Sequence, residues 1–113
     1  MTKQENIQRL DDIANLKGNW NGYGAKAFPA DLISKCKNIA AGLDLEMDVY
    51  QTGRQSIQFQ YDENGNYLEF EVFQDHTIAM YVPARDYSKA ESYCITDDNL
   101  EMLNATIHKY FLE

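Results

Sequence analysis

The chain has 113 residues, of which 44% are apolar, 25% charged and 12% aromatic, the balance of a single globular domain spanning 1–113. Eighteen acidic against ten basic side chains leave a net charge of −8, which excludes a sequence-independent grip on nucleic acid and docking to an anionic membrane, since both need clustered cations. The polar start Met1-Thr2-Lys3-Gln4-Glu5-Asn6 reads as neither a secretion signal nor a lipidation site, and no apolar run of about 18 residues occurs, so the expected location is the cytoplasm.

From Thr2 to Lys17 the apolar residues Ile7, Leu10, Ile13, Ala14 and Leu16 recur at spacings of three and four, which predicts a helix with one buried face and Gly18 as its C-terminal cap. A second helix is expected from Pro29 to Ala41. Pro29 suits its first turn, Asp31 meets the positive end of the dipole, and Leu32, Ile33, Cys36, Ile39, Ala40 and Leu43 form its stripe.

Beyond residue 43 the period changes from 3.6 to 2, and turn chemistry predicts three hairpins. Asn64-Gly65 as a two-residue turn sets Ile57 opposite Val72, Phe59 opposite Phe70 and Tyr61 opposite Leu68. A three-residue loop at Thr52-Gly53-Arg54 would place Leu45, Met47 and Val49 opposite Tyr61, Phe59 and Ile57. A three-residue turn at Gln74-Asp75-His76 would pair Ile78 with Val72, Met80 with Phe70 and Val82 with Leu68, which keeps every apolar residue on one face. Pro83 ends the fourth strand, and Ser92-Tyr93-Cys94-Ile95 reads either as a short fifth strand or as an extended lead into the last helix. That helix is expected to start near Asp98, capped by Thr96, Asp97 or Asp98, with Asp98-x-x-Glu101 resembling a capping box. It would bury Leu100, Leu103, Ile107, Tyr110 and Phe111. The expected fold is an α+β two-layer sandwich of order ααββββα, a four-stranded antiparallel meander covered on one face by helices.

Two segments stand out together: Trp20-Asn21-Gly22-Tyr23-Gly24-Ala25, followed by Pro29, and Thr52-Gly53-Arg54-Gln55-Ser56-Ile57-Gln58-Phe59-Gln60-Tyr61, followed by Tyr67-Leu68-Glu69-Phe70-Glu71-Val72. On these, residues 10 to 82 resemble a group of small uncharacterised bacterial and phage-associated proteins. That group carries W-[DN]-G-Y-G-A after a first helix and T-G-x-x-S-I-Q-[FL]-E-[YW] in a later strand. Asn21 stands where Asp is frequent and Gln60 where Glu is frequent. The resemblance implies a bacterial or mobile-element origin and a shared fold, and it implies no activity.

Chemistry at a specific spacing is absent. Cys36 is in register with Leu32, Ile39 and Leu43 and reads as core, while Cys94 has no base beside it in sequence. The pair fits buried thiols in a reducing compartment better than a disulfide. His76 suits a turn position that tolerates left-handed angles, and His108 the edge of the last helix. Without H-x-x-x-H, H-E-x-x-H or a cysteine pair no metal site is expected, nor any cofactor, and Asp62-Glu63-Asn64-Gly65-Asn66 is a tight turn rather than a calcium loop. Glu69 and Glu71 lie about 7 Å apart on one strand face, a spacing open to acid–base pairs but on a solvated face. No catalytic residue is assigned, and the reading is not an enzyme.

Charge is unevenly spread. Residues 1–42 hold four acids and six bases, net +2, whereas residues 43–113 hold fourteen acids and four bases, net −10. The expected outer face of the sheet gathers Gln58, Gln60, Tyr67, Glu69, Glu71, Phe73, Thr77, Ala79 and Tyr81, carboxylates mixed with rings, as protein interfaces do. The functional expectation is therefore an interaction module, with an immunity, antitoxin or inhibitor role as one form. It would bind a protein partner, a basic one or a second copy, through Gln58, Gln60, Tyr67, Glu69, Glu71, Phe73 and Tyr81. The alternative is a small-ligand binding protein using Trp20, Asn21, Gly22, Tyr23 and Gly24. A structural role for that loop is expected beside it, the glycines supplying backbone angles and Trp20 and Tyr23 plugging the gap between helices and sheet.

Overall fold

A computed structural model describes residues 1–112. Helix α1 (Lys3–Ala14) begins where Thr2 accepts from the Glu5 N–H at 3.1 Å while the Glu5 carboxylate accepts from the Thr2 N–H at 3.0 Å, a reciprocal cap. It ends three residues before the expected Gly18, because Asn15 takes over as cap and its side-chain amide donates to Asp11 O at 3.2 Å. Helix α2 (Ala30–Gly42) follows Pro29 as its N-cap and buries Leu32, Ile33, Cys36, Ile39 and Ala40.

Five strands follow: β1 (Asp48–Gln51), β2 (Ile57–Glu63), β3 (Asn66–Val72), β4 (Thr77–Val82) and β5 (Glu91–Ile95). They form one antiparallel sheet in sequence order, so the segment left open between strand and lead-in is a fifth strand and the expected four-stranded meander gains an edge. Two short 3₁₀ turns, Pro83–Arg85 and Tyr87–Lys89, separate β4 from β5. Helix α3 (Leu100–Ile107) is capped by Asn99, whose side chain accepts from the Met102 N–H at 2.9 Å, rather than by Thr96, Asp97 or Asp98. Asp98 is drawn elsewhere, into an ion pair with Lys35. A π-helical turn, His108–Leu112, continues α3.

The β2–β3 hairpin has the expected register, with Asn64 at φ 54° and Gly65 at φ 84° making the left-handed turn. The β1–β2 register is shifted. Val49 faces Phe59 instead of Ile57, and Leu45 and Met47 precede the strand. The loop runs from Thr52 to Ser56 because Ser56 folds in. The Thr52 N–H donates to Ser56 O at 3.1 Å, and the two hydroxyls lie 2.6 Å apart. A loop longer by two keeps the parity, so Val49 still points into the core.

At β3–β4 the parity itself differs. The turn is Gln74-Asp75, closed by Phe73 N–H donating to His76 O at 2.8 Å, and Phe70 pairs with Ala79 rather than Met80. One residue fewer flips the whole strand. Thr77, Ala79 and Tyr81 turn to the helices, and Ile78 and Met80 turn outward. Three partners hold that face inward. Thr77 Oγ1 donates to Asp98 at 2.8 Å, Ala79 is small enough to be fully buried, and the Tyr81 ring stacks on Tyr110 at 4.0 Å. His76 keeps an ordinary backbone and stacks its ring on Phe73 at 4.6 Å, so the left-handed role expected of it does not arise.

All three helices lie on one face of the sheet. Leu10, Ile13, Leu32, Cys36, Ile39, Val49, Ile57, Phe59, Leu68, Phe70, Val72, Leu103 and Ile107 form the core between the layers, with Tyr61, Tyr81, Tyr110 and Phe111 closing one end. Leu100, Tyr110 and Phe111 are only partly buried. Among the described residues no helix is long and apolar enough to cross a membrane.

Candidate functional site

The strand pairings place Gln58 and Gln60 of β2, Tyr67, Glu69 and Glu71 of β3, Ile78 and Met80 of β4, and Ser92 and Cys94 of β5 on the side away from the helices. Five of the seven expected surface residues are therefore together. Tyr81 is not among them, since it packs beneath the C-terminal turn, and Phe73 lies past the end of β3 against His76. Ile78 and Met80 were missed because their outward position follows from the β4 flip. Val82 shares this face but is buried.

Most polar groups here already have partners. Tyr67 OH donates to Glu69 Oε1 at 2.7 Å, and burial together with that carboxylate holds the phenol well above the usual tyrosine range. Glu71, only 12% exposed, accepts from Ser56 Oγ at 2.5 Å and from Arg54 Nε at 2.9 Å. The Glu71 hydrogen bond and charge keep Arg54 firmly protonated. Gln60 donates to Gln58 at 2.8 Å. Glu71 therefore ties the β1–β2 loop to β3, and Glu69 is the carboxylate of this pair that makes no ion pair among the described residues.

The loop of Trp20 to Ala25 is a separate construction. Asn21 Oδ1 accepts from the N–H groups of Tyr23 at 2.9 Å and Ala25 at 3.2 Å, and Asn19 Oδ1 from Gly24 at 2.7 Å. Gly22 at φ 77° and Gly24 at φ 84° make the bends these bonds require. Trp20 is half-buried against Phe28, ring centroids 6.0 Å apart, with its indole N–H donating to Lys26 O at 3.2 Å. Trp20 thus packs partly buried against the core. Tyr23, expected to plug the gap between helices and sheet, is instead 93% exposed in the loop.

The remaining nucleophiles and bases form no hydrogen-bonded pair among the described residues. Cys36 is buried in the core, where desolvation pushes its thiol up to about 12, and Cys94 is exposed on the edge strand, contrary to the expectation of two buried thiols. His108 Nε2 lies 2.6 Å from Asp44 Oδ2 and His76 Nδ1 2.6 Å from Asp75 Oδ1, and among the described residues neither ring is hydrogen-bonded to a cysteine. Among the described residues no cluster of three His, Cys, Asp or Glu side chains could hold a metal ion. No known family model matches the sequence, and neither the curated proteins nor the solved structures contain a chain that matches it.

Proposed function

We propose that the chain is a non-enzymatic interaction module that takes a basic protein partner on the open face of its sheet. The observation that carries this is the one-sided architecture: three helices cover the inner face, while Ile78, Met80, Tyr67, Gln58, Gln60 and Glu69 lie partly exposed on the other. Apolar side chains framed by amides and a carboxylate supply contact area at the centre and discrimination at the rim. A net charge of −10 over residues 43–113 speeds encounter with a cationic surface and disfavours acidic ones. An immunity, antitoxin or inhibitor protein is the concrete form this reading suggests.

The test is a tagged pull-down from the source cell at low and high salt, run with wild type, Glu69→Lys and Met80→Asp. A stoichiometric, salt-sensitive protein captured by the wild type and lost with both variants, each still folded by circular dichroism, is the expected result. Capture undiminished in both variants, or recovery of the chain alone, overturns the reading. A second copy in place of a partner would show as a dimer in sedimentation that Met80→Asp dissociates.

A further inference from the structure

The two segments that stand out in the sequence are about thirty residues apart along the chain and adjacent in space. A Cβ at Gly53 would lie 3.3 Å from Asn21 Nδ2, and Gln55 Nε2 donates to Ala27 O at 2.7 Å, so the Trp20–Ala25 loop and the β1–β2 loop brace each other. Between them opens a cleft of about 270 Å³ lined by Gly24, Lys26, Gly53, Arg54 and Gln55.

Its charged lining residues are two cations, and no carboxylate lines it, in a chain whose net charge is −8. Lys26 makes no ion pair among the described residues. Arg54 is anchored through Nε alone, by Glu71 at 2.9 Å, which fixes the side chain and leaves the two terminal guanidinium nitrogens for another acceptor. Among the described residues the N–H groups of Gly53 and Gln55 also have no hydrogen-bond partner. Gln55 sits at φ 58°, a backbone angle that costs free energy in a side-chain-bearing residue and that is held by the bonds of Gln55 Nε2 to Ala27 O and of the Arg54 N–H to Thr52 Oγ1. Two cations, one of them anchored, and unpaired loop N–H groups beside one polar cleft are what an anion requires.

We propose that this cleft binds a small molecule bearing a phosphate or carboxylate group, seated between Lys26 Nζ and the Arg54 guanidinium with the loop N–H groups as further donors. The volume admits the anionic group and a few more atoms, so the ligand is fragment-sized. Of the sheet face, Glu69, Ile78 and Met80 do not line the cleft, and Glu71 meets it only through Arg54.

The experiment is a ¹H–¹⁵N NMR titration of the full chain with inorganic phosphate and, separately, with acetate, against chloride at matched ionic strength. Saturable shifts confined to the amides of Gly24, Lys26, Gly53, Arg54 and Gln55 are expected, and the tighter of the two anions identifies which group the natural ligand carries. Lys26→Gln, at an exposed position, should weaken the binding roughly tenfold or more with the spectrum otherwise unchanged. Arg54→Lys, which keeps the charge beside Glu71 but not the fork, should weaken it independently. Glu69→Lys should leave the titration as in wild type, separating this site from the sheet face. Shifts that never saturate, or equal those with chloride, or persist at wild-type affinity in Lys26→Gln, overturn the proposal.

Discussion

Lys35 of α2 and Asp98, two residues before α3, meet at 2.5 Å with both side chains largely shielded from solvent. Lys35 Nζ also donates to Phe73 O at 2.7 Å and Gln74 O at 3.3 Å, and Asp98 accepts from Thr77 Oγ1 at 2.8 Å. One ion pair thus joins a helix, the β3–β4 turn and the entry to the last helix. Removing one partner strands the other charge in a partly dry place, so Asp98→Ala should cost about 2–3 kcal/mol, and Lys35→Met with Asp98→Leu together should cost less than either change alone. Urea denaturation of the single and double variants measures this as a coupling energy.

Glu69 and Glu71 lie on one strand face and should respond differently. Replacing Glu71 by Gln removes the charge that both Ser56 Oγ and Arg54 Nε meet, and should cost about 1–2 kcal/mol of stability. Glu69→Gln, which leaves the amide oxygen as an acceptor for Tyr67 OH, should cost a few tenths of a kcal/mol at most. Thermal melts of the two variants decide it, and the contrast is why Glu69 rather than Glu71 serves to test partner binding.

In the Trp20–Ala25 loop, Gly22→Ala and Gly24→Ala should each cost about 1 kcal/mol, because nothing crowds a Cβ there and the whole penalty is the positive φ. Trp20→Ala should cost about 2–3 kcal/mol through lost packing on Phe28. Tyr23→Ala should leave the melting temperature unchanged, since its ring touches solvent on nearly every side. Calorimetry on the four variants gives the order directly.

Alkaline pH should destabilise the protein. The Cys36 thiol, raised by burial from 9.0 to about 12, favours the folded state while protonated. That contribution is complete below pH 9 and is lost as pH rises through about 12. The Tyr67 and Tyr110 phenols, raised by burial and by their bonds to Glu69 and Glu91, act with the same sign above pH 10. The melting temperature should therefore fall from about pH 9 upward. At neutral pH a thiol reagent should modify Cys94 in the native protein, and Cys36 only after denaturant is added.

The parts of this fold that are legible in the sequence are those whose cause is local. The stripes of α1 and α2 follow from spacing, and the β2–β3 register follows from Asn64-Gly65, whose left-handed angles accept one hairpin geometry. Five of the outer-face residues follow from that hairpin. The Trp20–Ala25 and Thr52–Ser56 segments each stand out in the sequence, while their meeting in space does not, since nothing in either segment names the other.

What tertiary structure alone decided is the facing of β4. The turn Gln74-Asp75 contains no glycine or proline to enforce a length, and alternation by itself favours burying Ile78 and Met80. The opposite face won because Asp98 offers an acceptor to Thr77, Tyr110 offers a ring to Tyr81, and a small residue at Ala79 fits closely beneath the helical layer. Those partners lie twenty or more residues downstream. Period-two patterning reports how apolar a strand face is, and it carries no information on which distant side chain that face will meet.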